Sequence, residues 1–363
     1  AGSTANNRCW WDIITKAGPM FGFYPNASKT HLIVKQEYVQ SANDLFDGTG
    51  ITVIADGDRY LGAAIGTRTY IEQYVKNKIT EFVGEVKILS AFALTQPHAA
   101  YSAFCHGLIG KWTYLARTIP HSSELFKPLE DAIRTIFLPS LTGQSPFNDT
   151  DRNMLALPTR LGGLGIINPS LMSSHHYTTS VNVTSALVNL VITRTTLMPP
   201  DLEIQEFEEK KLARNQRKAM ETTSVTELLA ILPAKQKRSV EIASEKGASS
   251  WLNALPIARH GFALHKSAFR DAICLRYGWQ PSLLPSHCTC GSLYTVEHAM
   301  NCPSGGFPSI RHNEVRNLTS AFLSEICHNV HTEPTLQPLQ GEHLKYKSAN
   351  GELGARLDVA AQN

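Results

Sequence analysis

Between residues 30 and 65 apolar and polar side chains alternate in short runs, Thr30–Lys35 (THLIVK), Ile51–Ala55 and Arg59–Ile65, and such runs predict strands. Asp56-Gly57-Asp58, lying between the last two, predicts the turn of a hairpin. Helices are expected around them, one from Ala5 to Ala17 that Gly18-Pro19 stops, and one from about Glu37 to Phe46 that ends near Gly48. From residue 71 the period lengthens. Ile71, Val75, Ile79, Phe82, Val86 and Leu89 recur at the spacing of one helical face, so a single long amphipathic helix is expected before Pro97. A second helix should run from Ala99 to Ile119. A third carries Leu129, Ile133, Ile136 and Phe137 and is expected to stop at Pro139, which has no N–H to donate. Short-looped helices of this kind make a bundle.

Further on, the patterning is interrupted three times. Leu157–Gly165 (LPTRLGGLG) is rich in glycine, but no Walker lysine follows and no strand precedes it, so a backbone loop is expected rather than a phosphate cradle. From Met172 to Thr196 the composition shifts to Ser and Thr, and Pro199-Pro200 marks a candidate internal boundary. The segment Leu202–Met220 is strongly charged, with Glu206 four residues before Lys210 and Glu208 three before Lys211. Lys210, Lys211, Arg214, Arg217 and Lys218 gather toward its end; a solvated helical face is the ordinary reading of such a run, and nucleic-acid contact the other. Helical patterning returns in Ser249–Leu255 and His265–Tyr277, the latter with Gly278 as its cap.

Composition narrows the class. With 363 residues, 42% of them hydrophobic and 18% charged, the chain reads as globular rather than disordered, with length for two or three domains. No apolar run reaches membrane-spanning length, so no membrane partner is expected. A formal charge of +3 permits a nucleic-acid partner without requiring one. The seven cysteines are an odd number and no secretory leader is evident, so reduced thiols and an intracellular location, nucleus and cytoplasm, are expected.

Packing alone does not account for the residue types in His287–Cys302 (HCTCGSLYTVEHAMNC). Cys288, Cys290, His298 and Cys302 supply three thiols and an imidazole, the donor set of a closed tetrahedral Zn2+ site. A tight turn at Gly291 would present Cys288 and Cys290, and a short helix over Val296–Cys302 would set His298 and Cys302 one turn apart. The competing reading is a pair of buried free thiols beside an unrelated histidine. His287 and His312 are spare imidazoles that compete as ligands.

Two early stretches carry a resemblance. Gly22–Thr30 (GFYPNASKT) resembles the fourth palm motif of reverse transcriptases from non-LTR retrotransposons, and Arg59-Tyr60-Leu61-Gly62 looks like the primer-grip hairpin that follows it. In members that carry a restriction-like endonuclease, a helical thumb, a Cys-Cys-His-Cys knuckle and a PD-(D/E)XK nuclease come next. The cysteine and histidine set matches the knuckle, with short first and third gaps. Arg311-His312-Asn313-Glu314 resembles the basic run after it, and Leu357-Asp358-Val359 is similar to the first metal-binding acid of such nucleases.

The resemblance implies an α+β chain, predominantly helical: the end of a polymerase palm over residues 1–66, a helical thumb over 67–200, a helical connection over 201–286, a zinc knuckle over 287–303 and the start of an α/β nuclease over 304–363. It implies a role for Lys29 beside the leaving phosphate, for Tyr60 and Leu61 at a primer end, for Arg311 and Arg316 on phosphates, and for Asp358 on a divalent ion. Without it, Lys29 is a lysine at a strand start and Asp358 a solvated acid. Mg2+ would serve the complete parent enzyme, whose paired polymerase aspartates would precede Ala1 and whose second nuclease acid and lysine would follow Asn363. The expectation is therefore a piece of a longer protein that binds RNA and DNA without polymerising or cutting. The alternative is a zinc-stabilised nucleic-acid-binding or interaction protein with no polymerase ancestry in use.

Overall fold

The computed structural model describes residues 2–194, 199–335 and 356–362. Within them the chain is mostly helical, with six short strands in three two-stranded sheets. It divides into two compact units, Ala1–Trp279 and Gln280–Asn363. No helix among the described residues is long and apolar enough to cross a membrane.

The first unit opens with α1 (Thr4–Ala17), started by the Ser3 hydroxyl, which accepts from the Asn6 N–H. Then come β1 (His31–Ile33), α2 (Val39–Phe46), β2 (Thr52–Ile54), β3 (Gly57–Tyr60) and β4 (Ala63–Gly66). The hairpin expected across Asp56-Gly57-Asp58 is not formed. Instead β2 lies parallel to β1, with Leu32 opposite Val53, and the hairpin joins β3 to β4 through Leu61-Gly62. The physical reason is backbone twist: a type I′ hairpin turn needs positive φ at both central positions, and Leu61 (φ 49°) and Gly62 (φ 85°) supply it. Two tyrosine hydroxyls fasten the turn by its main chain. Tyr74 donates to the Gly62 carbonyl at 2.9 Å and Tyr114 to that of Leu61.

The long periodic stretch forms α3 (Arg68–Ala93), which buries Val75, Ile79, Phe82, Val86 and Ala93 as one face. Against it pack α4 (Pro97–Ala103) and α5 (Ile109–Thr118), one rod with a π-turn at Phe104–Leu108, and α6 (Lys127–Ala132) and α7 (Leu138–Thr142), a second rod with a π-turn at Ile133–Phe137. The third expected helix therefore does not stop at Pro139. The π-turn, closed by the Leu138 N–H on the Ile133 carbonyl, shifts the ladder by one residue, so the proline begins a fresh turn where an N–H is dispensable. Each π-turn also turns an aromatic ring inward, and Phe104 stacks on Phe137 with centroids 4.4 Å apart.

Beyond this bundle lie α8 (Asp149–Ala156), α9 (Pro169–Thr193), α10 (Pro199–Ile231), α11 (Ala234–Ala243), α12 (Ser250–Asn253) and α13 (Lys266–Tyr277). The glycine-rich stretch is a loop, as its composition suggested. A side chain at Gly163 would meet the Leu157 carbonyl oxygen at 1.9 Å, and the loop is pinned by buried Arg276, which donates to the Thr159 and Gly163 carbonyls at 3.2 Å each. Gly278 caps α13 in the left-handed region.

Two histidines of this unit make its stability depend on pH. His98 is buried and its Nδ1 accepts from the Leu264 N–H at 3.1 Å, which places its proton on Nε2; burial holds the ring neutral. His176 is pushed down to about 4 by burial first and then by Arg117, His175 and Arg217. In the unfolded chain both take up protons from pH about 6.5 downward. The unfolded state thus binds more protons below that pH, so stability holds above about 6.5 and declines as pH falls toward 4. All five tryptophans lie in the first unit, so their fluorescence reports its unfolding alone. The urea midpoint is expected to drop between pH 7.5 and pH 5 by more in the parent than in His176→Gln; equal drops would remove His176 from this account.

Candidate metal centre

Sulfur and nitrogen donors converge in the second unit because two local motifs face each other. The first is a tight turn: the Gly291 N–H donates to the Cys288 carbonyl at 2.8 Å, and Gly291 takes φ 86°. Around it the Cys288 N–H meets the Ser292 carbonyl at 2.9 Å and the Tyr294 N–H meets that of Ser286 at 3.0 Å, closing a small hairpin. The second motif is α14 (Val296–Asn301). Its N-cap is Thr295, whose hydroxyl accepts from the His298 N–H at 3.0 Å, and its C-cap is Cys302, whose N–H reaches the His298 carbonyl at 2.8 Å. His298 and Cys302 consequently stand one turn apart on the side facing the hairpin, as their spacing implied.

The four donor atoms all lie within 4.8 Å of one another. Cys288 Sγ is 3.8 Å from Cys302 Sγ, and Cys290 Sγ is 3.2 Å from His298 Nε2. Two thiolates on one tetrahedral Zn2+ at about 2.3 Å each stand about 3.8 Å apart, so the sulfur pair has the separation a shared metal sets. Hydrogen bonds lower both thiols of the turn. A bond from the Cys290 backbone is the main cause of Cys288 falling to about 7, assisted by Thr289, and Ser292 lowers Cys290. Lower thiol pKa favours the thiolate, which is the form that binds metal. Three cysteines and a histidine with no fifth donor make a closed site, suited to holding a fold together rather than to activating water.

The spare imidazoles are engaged elsewhere. His287 Nδ1 lies 3.2 Å from the Ser286 hydroxyl, and His312 Nε2 lies 3.2 Å from Asp358 Oδ1. Asp358 precedes β6 (Val359–Gln362), which runs antiparallel to β5 (His328–Thr332), and both strands pack on α15 (Phe307–Ser324). Among the described residues no further group of three or more His, Cys, Asp or Glu is gathered for a metal, so Asp358 stands with one histidine and no second acid. Arg316 is half-buried and ion-paired with Glu333, which Arg356 also approaches at 3.7 Å, whereas Arg311 is exposed on α15.

The residues that resemble polymerase motifs lie in the first unit. Lys29 is exposed at the end of a short 3-10 turn before β1, and Tyr60 and Leu61 are exposed at the hairpin tip. Sequence reasoning missed their neighbour, the His31–Asp58 pair that ties β1 to β3; hydrogen bonding from His31 lowers the Asp58 carboxyl below its ordinary value. These partners are 27 residues apart, and nothing local marks either one. Compared with protein-family profiles, curated proteins and solved structures, the chain matches none of them.

Proposed function

We propose that this chain is the nucleic-acid-binding part of a reverse transcriptase of the non-LTR retrotransposon type, in which a structural Zn2+ on Cys288, Cys290, His298 and Cys302 holds the small hairpin and α14 of the second unit together. The observation that carries the reading is the converged donor set with its 3.8 Å sulfur pair, and in chain order it follows a helical unit that begins with a short α+β segment and precedes a helix and paired strands. In this reading the first unit is the end of a palm and its thumb, and α15 with β5 and β6 begins a nuclease-like fold. The closed metal site shapes the surface, and exposed Arg311 on the adjoining helix meets phosphate.

The chain performs no phosphoryl transfer in this reading. Among the described residues neither Asp358 nor any acid of the first unit belongs to a group of three or more metal-binding side chains. Fluorescence anisotropy with labelled single-stranded RNA and DNA tests it. Binding is expected to weaken steeply as salt rises, to shrink several-fold in Arg311→Ala, and to be lost with the metal in Cys302→Ser. Absence of binding at low salt, or binding indifferent to Arg311 and to the metal, sinks the proposal.

A further inference from the structure

Helix α10 runs for 33 residues, and its fully buried apolar contacts come at the C-terminal end, through Leu228 and the following Leu232. From Glu203 to Met220 every residue except Glu209 and Ala213 is exposed. At 100° per residue, Ile204, Phe207, Glu208, Lys211 and Leu212 share one face, and the half-buried Glu209 and Ala213 lie on the opposite side, where the helix packs along α9. The outward face therefore carries three large apolar side chains in water: Ile204 is 62% exposed, Phe207 63% and Leu212 50%.

Charge along the same stretch is divided into two blocks. Glu203, Glu206, Glu208 and Glu209 precede Lys210, Lys211, Arg214, Arg217 and Lys218. Complementing the helix dipole does not explain the basic block, because that effect is confined to the terminal turns and the last turn of α10 holds no basic residue. Pairs within the helix, Glu206 with Lys210 at 2.5 Å and Glu208 with Lys211 at 3.6 Å, account for part of the pattern but leave the apolar face uncovered.

We infer that the outward face of α10 is a self-association surface, on which a second copy of this chain lays its own α10 antiparallel about a two-fold axis between Glu209 and Lys210. That axis brings Phe207 of each copy level with Leu212 of the other and sets Glu208 against Lys211, with Glu203, Arg214 and Lys218 along the edge of the face, while Glu206, Glu209, Lys210 and Arg217 point away from it. The parallel arrangement would stack like charges, so the charge order selects the antiparallel one and closes the assembly at two. The segment is only about 24 Å long and its interface sits at the small end of specific contacts, so the dimer is concentration-dependent.

Sedimentation equilibrium of the full chain tests this. A monomer–dimer equilibrium with a dissociation constant on the order of 10 µM is expected, weakening several-fold as salt is raised. Phe207→Glu with Leu212→Glu should give a monomer of unchanged helical content, since both side chains point into solvent. Reversing the acids of the face (Glu203→Lys, Glu208→Lys) should weaken association, and so should reversing its bases (Lys211→Glu, Arg214→Glu, Lys218→Glu). Mixing the two reversed proteins should restore a dimer containing one of each. A chain that stays monomeric up to about 100 µM, a dimer that survives the Phe207 and Leu212 changes, or a mixture that remains monomeric would each overturn the inference.

Discussion

Cys302→Ser is expected to empty the metal centre and to unfold residues 286–304, while the first unit keeps its unfolding midpoint. Among the described residues of the second unit, Cys302 is the only buried side chain; α14, α15, β5 and β6 otherwise present half-buried or exposed positions. A unit of this size with so small an apolar interior draws little stability from burial, and small domains of that kind depend on a metal or another cross-link. Zinc-finger peptides gain about 10–16 kcal/mol from their metal, far more than the hydrogen bonds of one six-residue helix supply. Serine at 302 keeps the cap geometry but offers no thiolate 3.8 Å from Cys288. Metal analysis should find about one zinc in the parent chain, none in the variant, and a normal load in a Cys327→Ser control. Hydrogen exchange should then show protection lost at the bonded amides of this span, Cys288, Gly291, Tyr294, His298, Ala299 and Cys302, and kept in the first unit. Full zinc retention in Cys302→Ser would refute the assignment.

The largest effect in the first unit is expected at the buried ion pair of Glu130 and Arg152. Arg152 donates from Nε and Nη2 to the two oxygens of Glu130 at 2.6 and 2.8 Å, and from Nη1 to the Ile166 carbonyl at 2.7 Å, with the two side chains 3% and 11% exposed. Glu130→Ala strands a guanidinium away from water with one carbonyl for company. The cost is expected to be about 3–5 kcal/mol, read as a lowered urea midpoint in tryptophan fluorescence. A double change to Glu130→Leu and Arg152→Met removes both charges and should recover most of that loss. If the single change costs under about 1 kcal/mol, the pair is not a buried one in solution.

Different amounts of this were legible beforehand, for physical reasons. Helix α3 could be read because its buried positions are periodic, and the donor set because Cys288, Cys290, His298 and Cys302 lie within fifteen residues, where local turns alone bring them together. The β3–β4 hairpin was misplaced because Asp-Gly-Asp has the composition of a turn, while the actual turn asks Leu61 to adopt a backbone conformation leucine seldom takes. The run through Pro139 escaped notice because a π-turn shows in the sequence only as a one-residue slip in period. Arg152 and Glu130, or His31 and Asp58, meet through tertiary packing, which no spacing rule reaches. The retrotransposon resemblance rests on short motifs, and the binding and metal experiments above bear on its consequences.

One arrangement in the first unit bears on how this protein can change over generations. Tyr74 and Tyr114 hold the β3–β4 tip by grasping carbonyl oxygens, which every amino acid possesses, while the side chains of Tyr60 and Leu61 stay in solvent. Position and identity are thus uncoupled there: substitutions at residue 60 alter what the tip presents without loosening where it is presented. Mutational drift at that position is free to explore new surface chemistry on a fixed mount, whereas loss of a tyrosine hydroxyl removes one of the two tethers on the tip.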